Sequence, residues 1–335
     1  MAIDRPATFG KSSLWILIWV WLGASTFLVD KAAAANFLAS NPASITAAAA
    51  AAGPGDTITM LTNGTWNNAT ITFMKNNAST NPITLRAQVP GKVLITGGSH
   101  LYIGGSNLVV QGLVFTNGSS TETKDIIEFR SGTGSLEARN CRLTDTELVN
   151  LNPSDQTVNY KWVSFYGQSN RMDHCLLRGK TNVEATVTVW MTSYTPSNSC
   201  HQIDHNYFDK RYHYTFHDSS ASMRLGDSST SQQSCGTLVE WNYFHDCTSA
   251  EEIISNKSCD NMYRYNTFVG CLGCLTFRHG KRCSAIGNFF FGNSLSQSAG
   301  IRIIDSDHTV IDNYFQDLGC TGAGCGGGVR ARRKA

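Results

Sequence analysis

The sequence predicts an all-β fold, a right-handed single-stranded parallel β-helix built as a solenoid, on three observations. A short word recurs as Ile203-Asp-His-Asn206-Tyr-Phe208, Val239-Glu-Trp-Asn242-Tyr-Phe244, Tyr263-Arg-Tyr-Asn266-Thr-Phe268, Ala285-Ile-Gly-Asn288-Phe-Phe290 and Val310-Ile-Asp-Asn313-Tyr-Phe315. Its asparagines are spaced 36, 24, 22 and 25 residues apart, a period suited to solenoid coils. Between copies stand Gly, Ser, Asn and Asp turn residues, with no sustained helical periodicity.

From the N-terminus, Arg5 and Lys11 precede an apolar run, Leu14 to Val29, and small residues follow at Ala32 to Ala35. That is the pattern of a signal peptide over 1–35; the run is short for a membrane span, and a retained anchor is the alternative. Cleavage would start the mature chain near Asn36, leave no membrane anchor and place residues 36–335 outside the cell or in a periplasm. All eleven cysteines follow the leader, which suits an oxidising compartment, and their odd number leaves at least one free or paired between chains. Sequons stand at Asn63, Asn68, Asn77, Asn117 and Asn256.

Weaker copies of the word, Val109-Val-Gln-Gly112-Leu-Val114 and Met172-Asp-His-Cys175-Leu-Leu177, extend the repeat toward the N-terminus. Each copy is expected to form a short strand and a turn. The asparagine would take a left-handed bend and bond to its counterpart one coil on. The Phe two residues later would stack in the core. A β-propeller would need blades of about 40 residues, and a leucine-rich horseshoe would need a leucine spacing that is absent. The long interval from Asn206 to Asn242 implies an inserted loop, of the kind that walls a cleft. After Phe315 the chain turns to Gly and Cys and then to Val329-Arg-Ala-Arg-Arg-Lys-Ala335. That is no closing coil, so the C-terminal end reads as incomplete.

The composition is ordered rather than disordered, with 41% hydrophobic and 16% charged residues and 30 glycines in 335. A formal net charge of +2 gives no broad basic field for nucleic acid, so any polyanion must be drawn by a local cleft. Counted from the repeat, Lys257 lies 9 residues before Asn266 and Arg278 lies 10 before Asn288. They are therefore expected as neighbours on one face of consecutive coils, about 4.8 Å apart in strand spacing. Two stacked cations repel unless an anion joins them. Cys235 and Cys259 each precede their asparagine by 7 residues and are expected to stack. Cys271-Leu-Gly-Cys274 has no second pair at zinc spacing and reads as structural. His174 and His205, at equivalent repeat positions, read as coil-packing residues.

Stretches from Pro54 to about Phe315 resemble the polysaccharide lyases that include alginate lyases and the dermatan-sulfate-cleaving chondroitinase B. They include Pro54-Gly-Asp-Thr57, Asn81-Pro-Ile-Thr-Leu-Arg86, Tyr160-Lys-Trp-Val163, Arg178-Gly-Lys-Thr-Asn182, Ile253-Ile-Ser-Asn-Lys-Ser-Cys259, Arg278-His-Gly280 and Gly300-Ile-Arg-Ile-Ile304. The resemblance implies a parallel β-helix that cleaves an acidic polysaccharide by β-elimination, with Lys257 as base and Arg278 as acid or charge stabiliser. The C5 proton of a uronic acid is weakly acidic because its loss sets a second negative charge beside the carboxylate. The site must neutralise that charge, and a lysine serves as base only if its pKa falls. A guanidinium is a poor proton donor, which makes Arg278 a charge stabiliser first. His279, Arg302, Arg178 and Lys180 are the candidates for holding sugar carboxylates.

The resemblance also implies calcium, held by two glutamates seven and five residues before the lysine and by an asparagine about one coil earlier. Here those two positions are Ala250 and Glu252, with Glu251 between them. A one-residue displacement sends a side chain to the other face of a strand, unless a bulge at Ala250-Glu251 restores it. Glu252, Glu251 and Asp218 are the candidate ligands. Competing functions are a non-catalytic polyanion-binding β-helix and a hydrolase. The second needs carboxylates flanking the bond, whereas Glu251 and Glu252 share one strand. Among lyase substrates alginate is expected and dermatan sulfate is the alternative. Oligomeric state is not legible.

Overall fold

The computed structural model describes residues 33–120, 123–191, 199–212 and 219–320. The chain divides into two units, Met1–Ala33, of which only Ala33 is described, and Ala34–Ala335, which carries every element named below. The leader up to residue 32 and the basic C-terminal stretch thus lie outside the described residues. Among those described, no helix is long and apolar enough to cross a membrane.

Three parallel sheets run the length of the unit, with eleven, ten and nine strands. Each coil gives one strand to each sheet in turn, as in His100–Ser106, Leu108–Gln111 and Leu113–Thr116. The next coil pairs with it in parallel, so the chain forms a parallel β-helix. The strands are short, mostly three residues, because a solenoid wall turns a corner before a longer strand can form.

The corner between the eleven- and nine-stranded sheets carries the repeat. Each asparagine side chain accepts from the coil before it: Asn242 Oδ1 takes Asn206 N–H, Asn266 Oδ1 takes Asn242 N–H and Asn288 Oδ1 takes Asn266 N–H, each at 3.0 Å. The amide nitrogens donate backward to carbonyls, as from Asn266 Nδ2 to Val239 O at 2.9 Å. Two residues on, Phe208, Phe244, Phe268, Phe290 and Phe315 stack with centroids 4.6, 4.7, 4.6 and 5.1 Å apart. Burying each such ring contributes about 1.5–3 kcal/mol.

One detail differs from the sequence expectation. The left-handed residue is not the asparagine but the one before it: His205, Trp241, Tyr265, Gly287 and Asp312, and likewise His174 before Cys175, have φ between +52° and +63°. The asparagine keeps ordinary backbone geometry and spends its side chain on the neighbouring coil. Its predecessor takes the strained corner, with its side chain left at the surface. His174 and His205 stack there at 5.2 Å, and each bonds to the aspartate before it at 2.8 Å.

A second correction concerns helix. Pro42–Ala51 is helical although no periodicity announces it. Six of its ten residues are alanine, which favours helix by propensity without marking a face. Asn41 caps it by accepting from Ser44 N–H at 2.9 Å, and Pro42 enters at the first turn. Ile45, Ala48 and Ala49 are buried where the helix packs on Thr70–Asn76 and Asn36–Ala39, shielding the first coil's edge.

Candidate active site

The chemistry-bearing residues gather on the outer face of the ten-stranded sheet. Cross-strand register places Arg224, Ser255, Thr276 and Arg302 in one row, three strand spacings or ~14 Å end to end. Their strand neighbours Met223, Leu225, Ile254, Leu275, Phe277 and Ile301 are buried in the core. Alternation therefore turns the row outward. Ser255 and Thr276 make a low floor, and the arginines rise at its ends.

Two irregularities re-aim the residues around this row. Glu252 shares the parity of inward-facing Ile254 and would enter the core of a regular strand. A register shift between Glu252 and Ile254 adds one residue, and Glu252 emerges on the cleft side. A second shift, between Asn256 and Lys257, sets Lys257 opposite His279. Gly273 opens the facing strand with φ +80°, and a Cβ there would stand 2.2 Å from Glu251 O. Only glycine permits that approach.

The resulting cleft, about 210 Å³, is lined by Ser219, Arg224, Glu252, Ser255, Lys257 and Arg278 among others. Lys257 is half-buried, and its amine is held below the usual lysine range by burial first, then by the charges of Arg224 and Arg278. Glu252 and Asp227 oppose that shift. Beneath it Asn256 is fully buried: Nδ2 donates to Ser258 O and His279 O at 2.9 Å each, and Oδ1 accepts from Asn261 at 2.7 Å and Tyr263 at 2.8 Å. This network pins the backbone from which Lys257 projects. It also closes the Asn256 sequon to any glycan in the folded protein.

Arg278 Nη1 donates to Glu252 Oε1 at 2.8 Å, and Arg302 Nη1 lies 3.8 Å from the same oxygen. On the other side, Arg224 Nη1 is 3.4 Å from Glu184 Oε2, and its guanidinium lies 5.0 Å from the centre of the Trp190 ring. Lys161 meets the same two residues, 3.5 Å from Glu184 and 5.3 Å from the ring. A larger hollow of about 680 Å³, bordered by Asn76, Glu137 and Arg139, has no comparable convergence of cations.

Lys257 and Arg278 thus share one face, as the coil ruler anticipates; His279 pairs with Lys257 across the strands and Arg302 stands in the outward row. Two other candidates are corrected. Lys180 is fully buried: its amine donates to Tyr160 O at 3.1 Å, Val183 O at 3.2 Å and the Asn182 side chain, and burial pushes its pKa well down. It organises loop carbonyls and cannot reach a sugar. Arg178 lies in the nine-stranded sheet, bound to Asp209 at 2.7 Å, on a different wall from the cleft. Sequence reasoning passed over Arg224, Glu184 and Trp190. The 3₁₀ turn Ser228–Thr230 and its loop lengthen that coil, so counting back from Asn242 misses Arg224.

The cysteines are structural in bearing. Cys271 and Cys274 are free and buried, as are Cys235 and Cys259, which are joined through Cys235 N–H to Cys259 O at 2.9 Å. Cys320 is disulfide-bonded.

The described residues do not by themselves make a calcium site. Ala250 is a buried methyl, Glu251 is exposed, and Glu252 is engaged by two guanidiniums. Asp218 lies outside the described residues, among which no group of three or more His, Cys, Asp or Glu converges. Calcium takes several oxygens at once.

The chondroitinase B family model matches residues 39–324. Among solved structures, the PL6-family alginate lyase AlyGC is 37% identical with a TM-score of 0.80, over 84% of this chain and 38% of that one. A mannuronic-acid-specific family 6 lyase from human gut microbiota is 33% identical with a TM-score of 0.77, over 85% and 65%. The PL6 lyase Pedsa3628 from Pseudopedobacter saltans is 29% identical with a TM-score of 0.75, over 84% and 63%. The chain therefore spans about two fifths to two thirds of these relatives' lengths. No curated protein matches it.

Proposed function

The chain belongs to the chondroitinase B family of polysaccharide lyases, and from that premise we propose that it cleaves a uronic-acid polysaccharide, alginate first, by β-elimination. The observation that carries this is the half-buried Lys257 set between Arg224 and Arg278 in one cleft, with its pKa pushed down. A lysine so placed is populated as the free amine at lower pH than an exposed one, and only the amine can accept a proton. Lys257 takes the C5 proton. The C5–H electrons flow into the carboxylate to give an enolate-like intermediate, and then into a C4–C5 double bond as the C4–O4 bond breaks. Glu252 holds Arg278 through Nη1, which orients a delocalised positive charge toward the departing O4; O4 leaves as an alkoxide stabilised by that charge and takes a proton from water, while the Lys257 ammonium later returns its proton to solvent. His279 and Arg302 flank the reacting sugar and bind its neighbours' carboxylates.

Alginate is favoured because the similar solved structures named above include an alginate lyase and a mannuronic-acid-specific enzyme. Export follows from the N-terminal pattern and from a polymeric substrate that does not enter cells. The test is incubation of the protein with alginate, pectate and dermatan sulfate, reading the ultraviolet absorbance of the unsaturated sugar. Signal on alginate is expected. Signal on dermatan sulfate alone would reassign the substrate, and none on any would overturn the activity.

A further inference from the structure

We propose that Arg224, and not a bound metal ion, is the group that meets and neutralises the carboxylate of the sugar losing its proton; this rests on the lyase reading above. A uronate carboxylate beside C5 must be met by positive charge within the cleft. Among the described residues, none of the positions expected to hold a cation is available: Ala250 offers a methyl, Glu251 is exposed and Glu252 is doubly paired. The cleft lining already carries Arg224, Lys257 and Arg278 against one carboxylate, Glu252. A net-positive hollow attracts an anion and disfavours a divalent cation.

Arg224 is the cation that the fold prepares for that anion. It stands in the outward row one coil before Ser255, on the Lys257 side of the floor. Its partners support it without saturating it. Glu184 Oε2 is 3.4 Å from Nη1, the Trp190 ring lies under the guanidinium at 5.0 Å, and Nε is buried with no hydrogen-bond partner. By contrast, Arg278 is bound to Glu252 at hydrogen-bond length. An arginine backed by an indole and held by one acid presents a planar fork suited to a carboxylate. After burial, the charges of Arg224 and Arg278 both hold the Lys257 amine below the usual lysine range, and Arg224 lines the same cleft as that amine. The placement also sets substrate direction. The C5 carboxylate lies toward Met223–Leu225 and the leaving O4 toward Gly273–His279.

The experiment compares wild type, Arg224→Met and Arg224→Lys on alginate and on its propylene glycol ester, after dialysis against EDTA and with added calcium. Wild type is expected to keep its rate in EDTA, with a melting temperature that neither chelator nor calcium moves. Arg224→Met should lose about 10²–10³-fold in kcat/KM on the acid polymer and much less on the ester, which has no charge to neutralise. The acid limb of its kcat profile, set by Lys257 facing Arg224, Arg278, Glu252 and Asp227, should move to higher pH. Arg224→Lys, which keeps charge without the fork, carries the same comparison should the methionine variant melt early. An active wild type that dies in EDTA and recovers with calcium overturns the proposal. So do equal losses on acid and ester with an unmoved pH profile, which would mark a structural arginine. A wild type inactive on every uronan sinks the lyase reading and this one together.

Discussion

At the corner held by Asn206, Asn242, Asn266, Asn288 and Asn313, every coil repeats the coil before it, bond for bond. On the cleft face the corresponding row runs Thr188, Arg224, Ser255, Thr276, Arg302, and no two consecutive coils present the same side chain. The corner has regular register throughout, whereas the cleft strands Glu252–Lys257 and Gly273–His279 carry shifts. One wall repeats because a stack gains most when each rung matches its neighbours. The other departs from the repeat because a reaction needs different groups at successive positions. Stability and chemistry are thus assigned to different walls of the same coils, and substitutions should separate them.

The largest expected effect is on the cleft side. Lys257→Ala should lower the rate of unsaturated-product formation by roughly 10²–10⁴-fold or more while leaving the melting temperature near wild type. Turnover close to wild type would remove Lys257 as the base. In the intact protein, kcat/KM should rise with pH as Lys257 deprotonates, through a midpoint below the ordinary lysine range, because burial, Arg224 and Arg278 all disfavour its charged form. An acid limb centred at the ordinary lysine value would contradict that environment.

Arg278→Lys tests whether geometry matters beyond charge. A lysine cannot hold Glu252 and face O4 with one planar group, so a loss of about 10²-fold is expected, again without a large change in melting. A marginal loss would mean that charge alone suffices.

On the corner the pattern should invert. Phe268→Ala opens a hole in the middle of the ring stack and should destabilise by about 3–5 kcal/mol, with activity per folded molecule preserved at low temperature. Asn266→Ala should be milder, about 1–3 kcal/mol, since it strands the N–H of Asn242 and the carbonyl of Val239. Denaturant melts and rates at matched folded fraction check both. If either corner variant lost catalysis before it lost stability, the division of labour between the walls would fail.

The repeat made much of this legible beforehand. A β-helix, its asparagine rungs, its phenylalanine stack and the closeness of Lys257 to Arg278 all follow from local words at coil spacing, because neighbouring coils share one register and the period converts directly into distance. Tertiary structure alone decided the rest. Whether Glu252 faces core or cleft depends on a single extra residue, since strand parity flips with each position, and the shift falls between Glu252 and Ile254 rather than at Ala250-Glu251. Lys180 looks like any basic loop residue in sequence, yet the carbonyls of Tyr160 and Val183 close around it. Arg224 is hidden by the inserted loop that breaks the count to Asn242, and only cross-strand pairing with Ser255 places it beside the base. Apart from the nearby Val183 carbonyl, these are pairings between residues 20 to 31 positions apart. Periodicity reports such pairings where the coils are alike, and the cleft lies where they differ.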